Sequence, residues 1–409
     1  MSATGSMANA PALPRLILKS GSEHTLLNGH PWVYSGAVDA APAGADPGSV
    51  VDVVDHRGRF VTRGFYNPRS LIRVRGLTQD PGQRIDGGFL RQGIERALEV
   101  RRRSRLAEQT DAMRLVHGES DGLPGLVVDD YTGHLVVQFH THGMEKFRAE
   151  VLEHLVELCT PRCVYERSDV GTRRAEGLPD RPTGLLYGAL PAEPVLIHEY
   201  GVSLAVDLAG GQKTGFFLDQ RENRALLQTL SRDQRVLNCF AYTSAFSAHA
   251  LHGGARRTLD VDIAPQVAGL ARRNLEANRS GAARSAYLVA DVLPFLDDLC
   301  RRGPQFDVVV LDPPSLMRKQ EQLKRAMGVY TMINRNALRL VHSGGLLVTS
   351  SCSSRVSAED FFQIVRRAAI GARVQLRIGA FTQHPADHPV DPAFPEGRYL
   401  KTVFARVFR

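Results

Sequence analysis

Three changes of rhythm divide the chain. Near the N-terminus, "SVVDVVD", "RFVTRGFYN" and "SLIRVRGLT" set β-branched residues at strand spacing, separated by "HRGR" and "NPR" turns. Residues 14–80 are therefore expected to form a small β-barrel. From about Asp86 the period lengthens. In "GGFLRQGIERALEVRRRSRL", Phe89, Leu90, Ile94, Ala97 and Leu98 recur at helical spacing. Two strands around a Gly/Asp-rich hairpin follow in "MRLVHGESDGLPGLVVDDYTGHLVVQFH". The helix "MEKFRAEVLEHLVELC" and the strands "CVYERSD" and "TGLLYGAL" complete an α+β domain over residues 81–194.

From about Val195 to the C-terminus the pattern alternates. Apolar strands ("RVLNCF", "RRTLDVDI", "AYLVAD", "FDVVVLDPP", "GGLLVTSSCS") are each followed by an amphipathic helix, and "VQLRIGAF" and "YLKTVFARVF" close the chain. Continuous apolar strands between helices predict a parallel sheet covered on both faces. The fold class is α/β, with a Rossmann-like domain over residues 195–409 behind the β-barrel and the α+β domain. Ligands in such sheets bind beyond the carboxyl ends of the strands.

Composition adds little to this frame. The chain has 409 residues, 43% of them hydrophobic, and no apolar run long enough to span a bilayer. Residues 1–13 lack the apolar core of a signal peptide, so a disordered leader and a cytoplasmic protein are expected. Five cysteines, an odd count, argue for free thiols. Cys159 and Cys163, with His140 and His142 upstream, invite a zinc reading. The spacing lacks a second cysteine pair, so ordinary packing is favoured and no metal is expected.

A net charge of +8 suits an anionic partner such as RNA. Candidate phosphate contacts are Arg73 and Arg75, which share a strand face, and Arg101, Arg102 and Arg103 at the end of a helix. A solvated sheet face explains the first pair equally well.

The strand ends carry the chemistry. The first runs into "NCFAYTSAF", the second ends at Asp262, the third at Asp291, the fourth at Asp312-Pro313-Pro314 and the fifth at Cys352. Without GxGxxG there is no seat for a pyrophosphate, so a nucleoside lacking one, S-adenosylmethionine, fits better than a dinucleotide. Two prolines remove two backbone donors and stiffen the chain beside Asp312. Ser315 and Leu316 follow them, where methyltransferases acting on exocyclic amines place an aromatic residue. Methylation of a ring carbon is favoured instead.

These residues carry a resemblance. "HPWVYSGAV", "ESDGLPGLVVD", "VYERSD", "KTGFFLDQRENR", "VLNCFAYT", "VLDPPS", "SSCS" and "HPVDPAFPEGRYLK" together span most of the chain. They resemble the bacterial 23S rRNA (cytosine-C5) methyltransferases, class I enzymes with an N-terminal PUA domain. The resemblance implies an RNA-binding first domain, ribosomal RNA as partner and S-adenosylmethionine as cofactor. A homodimer is compatible with it. Lys213, Phe217 and Arg221 would line the cofactor pocket, and Phe240, Tyr242 and Thr243 would contact the cofactor. Asp262 would hold its ribose, Asp291 its adenine, and Asp312 would border both cofactor and substrate.

One departure stands out. The family has Thr-Gly where this chain has Thr243-Ser244, and serine reaches a positive φ less cheaply than glycine. For catalysis, Cys352 is the expected nucleophile toward C6 of cytosine, and Asp312 its partner at the N3/N4 edge. The rival thiol Cys239 lies within a strand, and Pro313 stands where related enzymes carry a fourth-strand cysteine. Methylation of another base or atom, or a non-catalytic RNA-binding role, are the alternatives.

Overall fold

The computed structural model describes residues 12–278, 282–315 and 323–409. The expected leader lies outside them as far as residue 11, and so does Leu316.

The first sheet has six strands: β1 (Arg15–Leu18), β2 (Trp32–Tyr34), β3 (Val38–Ala40), β4 (Val50–Val54), β5 (Phe60–Tyr66) and β6 (Ile72–Thr78), with the short helix α1 (Glu23–Leu27) after β1. Their order is β2-β6-β5-β4-β1-β3. Strand alternation turns Leu16, Leu18, Val51, Val53, Val61 and Val74 inward to a small core.

Helix α2 (Gly87–Arg103) starts where the Asp86 carboxylate accepts the Phe89 amide at 3.1 Å. It covers a second sheet together with α4 (Arg148–Cys159). Strands β7 (Ala112–His117), β8 (Leu126–Tyr131), β9 (His134–Phe139), β10 (Cys163–Glu166) and β11 (Gly184–Gly188) form that sheet in the order β11-β10-β9-β8-β7. The expected single helix after β9 is two, α3 (His142–Lys146) and α4 (Arg148–Cys159). The break falls at Phe147, whose ring packs on Phe65 of the first sheet at 5.7 Å. Helix α5 (Gly171–Ala175) lies between β10 and β11.

One strand pair departs from the pattern. β12 (Val195–Glu199) and β13 (Val202–Val206) do not begin the parallel sheet but form a two-stranded sheet of their own, with one bridge from Glu199 to Thr110. Their apolar face packs against Tyr131 and Val136 on one side and Ala245 and Ala248 on the other, joining the central and C-terminal units.

The C-terminal unit runs α6 (Arg221–Thr229), β14 (Arg235–Cys239), α7 (Ala245–His252), β15 (Arg257–Asp262), α8 (Ala268–Glu276), β16 (Ser285–Val289), α9 (Val292–Arg302), β17 (Phe306–Leu311), α10 (Leu323–Leu340), β18 (Val341–Ser351), α11 (Ala358–Ala372), β19 (Gln375–Thr382) and β20 (Lys401–Phe408). The sheet order is β16-β15-β14-β17-β18-β20-β19. The first five are parallel, and β20 runs antiparallel between β18 and β19. Central strands are largely apolar because helices cover both faces, and Leu237, Val309, Leu311 and Leu347 are fully buried.

The segment between β19 and β20 ties the three units together. Phe394 packs edge-on against Trp32 of β2 at 4.7 Å, while Asp387 accepts from the Arg114 amide of β7 and from Arg221 of α6. The motif "HPVDPAFPEGRYLK" is thus largely an interdomain clasp.

Candidate active site

Five strand ends open on one cavity of about 520 Å³, a size usual for a small-molecule site. Phe240, Tyr242 and Thr243 reach it from β14, Asp262 from β15, Asp291 from β16, Asp312 to Ser315 from β17 and Cys352 from β18. The segment before α6 closes it with Gln212, Lys213, Phe217, Asp219 and Gln220.

The loop after β14 is held under strain. Phe240, Tyr242 and Ser244 all have positive φ, at 61°, 46° and 61°. Two features hold it there. The Tyr242 amide donates to Asp262 at 2.9 Å, and the Tyr242 hydroxyl accepts from the Gln212 amide and donates to the Gly215 carbonyl. The second Asp262 oxygen accepts the Ala264 amide at 2.9 Å, so two N–H groups orient this carboxylate. Asp291 caps α9 by accepting the Leu293 amide at 3.0 Å. Between them Ile263 leaves an apolar side chain 66% exposed beside the cavity.

At the other end of the cavity lie Cys352, Asp312, Asp219 and Lys213. The Cys352 sulfur is 3.8 Å from the Pro313 carbonyl, because β17 and β18 are adjacent and end together. Burial pushes the Cys352 thiol up to about 11, the Lys213 charge opposing and the Asp312 charge assisting. Burial likewise pushes the Asp312 carboxyl up to about 7, with the Asp219 charge adding to the rise and a hydrogen bond from Gln220 opposing it. Burial acts to raise Asp219 as well. The charges of Lys213 and His388, and a hydrogen bond from Tyr399, hold it at about 2. Two neighbouring carboxyls are thereby pushed apart, one fit to donate a proton near neutrality and one ionised.

Residues 114–397 match the S-adenosylmethionine-dependent methyltransferase family, and residues 16–79 match the PUA-like domain family. Proteins named ribosomal RNA large subunit methyltransferase I, from Salmonella arizonae and Salmonella paratyphi C, are each 39% identical over 97% of this chain and 98% of their own. The chain belongs to this family. Solved structures agree on the fold. A methyltransferase complexed with SAH superimposes with a TM-score of 0.84 at 23% identity, over 96% of this chain and all of that one. An S-adenosylmethionine-dependent methyltransferase from Streptococcus mutans gives 0.83 over the same share of this chain.

Within this methyltransferase fold most of the expected residues meet. Lys213, Phe217, Phe240, Tyr242, Thr243, Asp262, Asp291, Asp312 and Cys352 all line the cavity. Arg221 does not. It is fully buried behind it, donating to Asp387 at 3.0 Å and to the Ala112 carbonyl. The residue just before the helix, Gln220, reaches the cavity instead, and so does Arg224 one turn on, whose Nη1 donates to the Phe217 carbonyl at 2.9 Å. Gln220 and Asp219 are the functional candidates that the sequence did not single out. Both stand within "KTGFFLDQRENR". Two arginines three apart in that motif, each needing a buried acid, were the available signal.

Of the basic residues expected to contact RNA, Arg75 and Arg101 need correction. Arg75 is bonded to Glu119 and, at 2.7 Å, to Glu176, so it is an interdomain tie and not a phosphate contact. Arg73 turns back onto the carbonyls of Pro68 and Ser70. Arg101 is 2% exposed and spent on Asp121 and the Asp387 carbonyl. Arg102 and Arg103 are exposed, each paired with Glu99.

The other cysteines, Cys159, Cys163, Cys239 and Cys300, do not line the cavity. Cys239 is buried in β14, where burial drives its thiol far up. Cys159 and Cys163 do not gather with His140 and His142. Among the described residues the side chains close enough to share an ion are Glu23, Asp55 and His56. Asp55 is already committed to the amides of Arg57 and Arg59. No helix among the described residues is long and apolar enough to cross a membrane.

Proposed function

We propose that this protein methylates C5 of a cytosine in 23S ribosomal RNA, using Cys352 as nucleophile. The observation that carries this is the pairing of Cys352 and Asp312 at the ends of adjacent strands, opening on the cavity that Asp262 and Asp291 border.

The residues present fit S-adenosylmethionine. Asp262 keeps free lone pairs for ribose hydroxyls, Ile263 offers an apolar face to adenine, and among the described residues the buried Thr243 hydroxyl has no partner. The cofactor supplies an electrophilic methyl group on a sulfonium.

C5 of cytosine is a poor nucleophile until aromaticity is broken. The Cys352 thiolate adds to C6, and the C5–C6 π pair shifts toward C4 and N3. Asp312 gives its proton to N3, so a neutral enamine forms with C5 as the nucleophilic carbon. As C5 takes the methyl group, the N3 proton returns to the Asp312 carboxylate. Loss of the C5 proton to a base then restores the double bond and expels the Cys352 thiolate. The Lys213 ammonium favours the thiolate at the start and the end. A base inside a duplex hides C6, so the target is unpaired or flipped out.

Mass spectrometry of ribosomal RNA from a strain lacking the gene tests the proposal. Loss of one 5-methylcytidine from 23S RNA is expected. Loss of a different methylated nucleoside would assign the site to another base, and unchanged RNA would refute methylation altogether.

A further inference from the structure

Asp312 does not stand alone behind the base. The Gln220 amide nitrogen donates to its Oδ1 at 2.8 Å, among the described residues Oδ2 has no hydrogen-bond partner, and Asp312 lines the cavity. The Gln220 amide is itself fixed. Its oxygen accepts from the Asn223 side chain at 2.6 Å, and the same Asn223 nitrogen donates to the Thr402 hydroxyl at 3.0 Å. Thr402 is bonded to the Ser350 hydroxyl at 2.9 Å, and Thr382 donates to the Asn223 oxygen. Gln220, Asn223, Thr402 and Ser350 are all buried. A continuous hydrogen-bonded chain therefore runs from the strand that delivers Cys352, through β20 and α6, to the carboxyl of Asp312.

From this geometry we infer that Gln220 is a positioning residue for Asp312. It occupies one carboxyl oxygen so that the other faces N3 of the target base, and Asn223 locks the amide in that sense. The inference rests on the role given to Asp312 above.

The physical case is one of orientation. A carboxyl free to rotate would present either oxygen, and its proton would be misplaced for half of the encounters. With the Gln220 nitrogen on Oδ1, the transferable proton belongs on Oδ2. The donor also favours the ionised form, so it keeps the carboxyl from rising further under burial. Asn223 acts only through Gln220, and that makes the relay testable as a unit.

The experiment compares wild type with Gln220→Met, Asn223→Ala, the double variant and Asp312→Asn, using kcat against pH on 23S RNA and calorimetry with S-adenosylmethionine. Gln220→Met is expected to lower kcat about tenfold, the scale of one lost buried hydrogen bond to a charged group. Its cofactor affinity should stay within about twofold, and the limb belonging to Asp312 should move to higher pH, because a donor to the ionised form is gone. The double variant should be no worse than Gln220→Met alone. Losses that multiply, or a Gln220→Met enzyme with the wild-type rate and an unmoved limb, would overturn the inference. Should Gln220→Met not fold, Asn223→Ser is read on the same limb, with an unmoved limb again counting against it. Full activity in Asp312→Asn would overturn the role of Asp312 itself, whereas loss there with Gln220→Met intact overturns the relay alone.

Discussion

The ammonium of Lys213 lies 4.6 Å from the centre of the Phe217 ring, inside the cavity that also holds Cys352. Among the described residues it forms no salt bridge, so its charge acts on Cys352, Asp312 and Asp219 together. Because that charge lowers the thiol, Lys213→Met should raise it further. The rising limb of kcat against pH then moves upward, and activity at neutral pH falls about tenfold for each pH unit the limb travels. Rates of Cys352 alkylation against pH check this directly; identical profiles would exclude the coupling.

Cys352→Ala should abolish turnover while leaving S-adenosylmethionine binding by calorimetry nearly unchanged. The sulfur borders the cavity but forms none of the contacts that orient Asp262 or Asp291. Appreciable turnover in that variant would remove Cys352 from the mechanism.

Ser244 adopts a φ of 61°, a conformation that costs a residue with a Cβ roughly 1–2 kcal/mol and glycine little. Ser244→Gly should stabilise the protein by about 0.5–1 kcal/mol after the added freedom of the unfolded chain is counted. Thermal denaturation with and without S-adenosylmethionine checks this. A lower Tm would show that the serine side chain supports the loop.

Beneath the same loop, Asp260 accepts hydrogen bonds from Ser247 and Asn238 at 2.6 and 2.7 Å, and burial pushes its carboxyl up to about 7. The folded carboxyl binds its proton more tightly than the unfolded one. Its contribution to stability is therefore greatest below the unfolded value near 4, is lost as pH rises to about 7, and is flat above. Asp260→Asn should be the more stable protein at pH 8, by on the order of 1–3 kcal/mol, and the gap should close toward pH 4. A difference in Tm that does not vary between those limits would contradict the assignment.

Arg75→Met would leave Glu119 and Glu176 without their shared partner at the junction of the first two units. A buried charge so orphaned costs roughly 3–5 kcal/mol. Loss of protease resistance is expected. Arg102→Ala and Arg103→Ala should change stability by about 0.5 kcal/mol or less. A fully stable Arg75→Met protein with weakened RNA binding would restore Arg75 to the RNA surface.

How far the sequence reached is clearest residue by residue. Strands β14 to β18 were legible because a sheet buried on both faces needs unbroken apolar runs, and their ends were legible because Asp262, Asp291, Asp312 and Cys352 interrupt those runs. The strain at Ser244 could be anticipated from one departure in a loop. By contrast Arg75, Arg101 and Arg221 look like any surface arginines in one dimension. Whether such a side chain meets solvent or a buried acidic residue depends on Glu119, Glu176, Asp121 and Asp387, which stand 20 to 286 residues from the arginines they bind.

Sequence alone determined the alternation of strands and helices from β14 onward, the cofactor class and the residue types at the carboxyl edge, since these follow from local periodicity and chain punctuation. Tertiary structure decided which of those residues share the cavity. It put Gln220 there instead of Arg221, set Asp219 beside Asp312, and placed the β12–β13 hairpin outside the parallel sheet. The physical reason is that burial, charge pairing and proton affinity are fixed by neighbours in space, and the chain brings those neighbours together only when it folds.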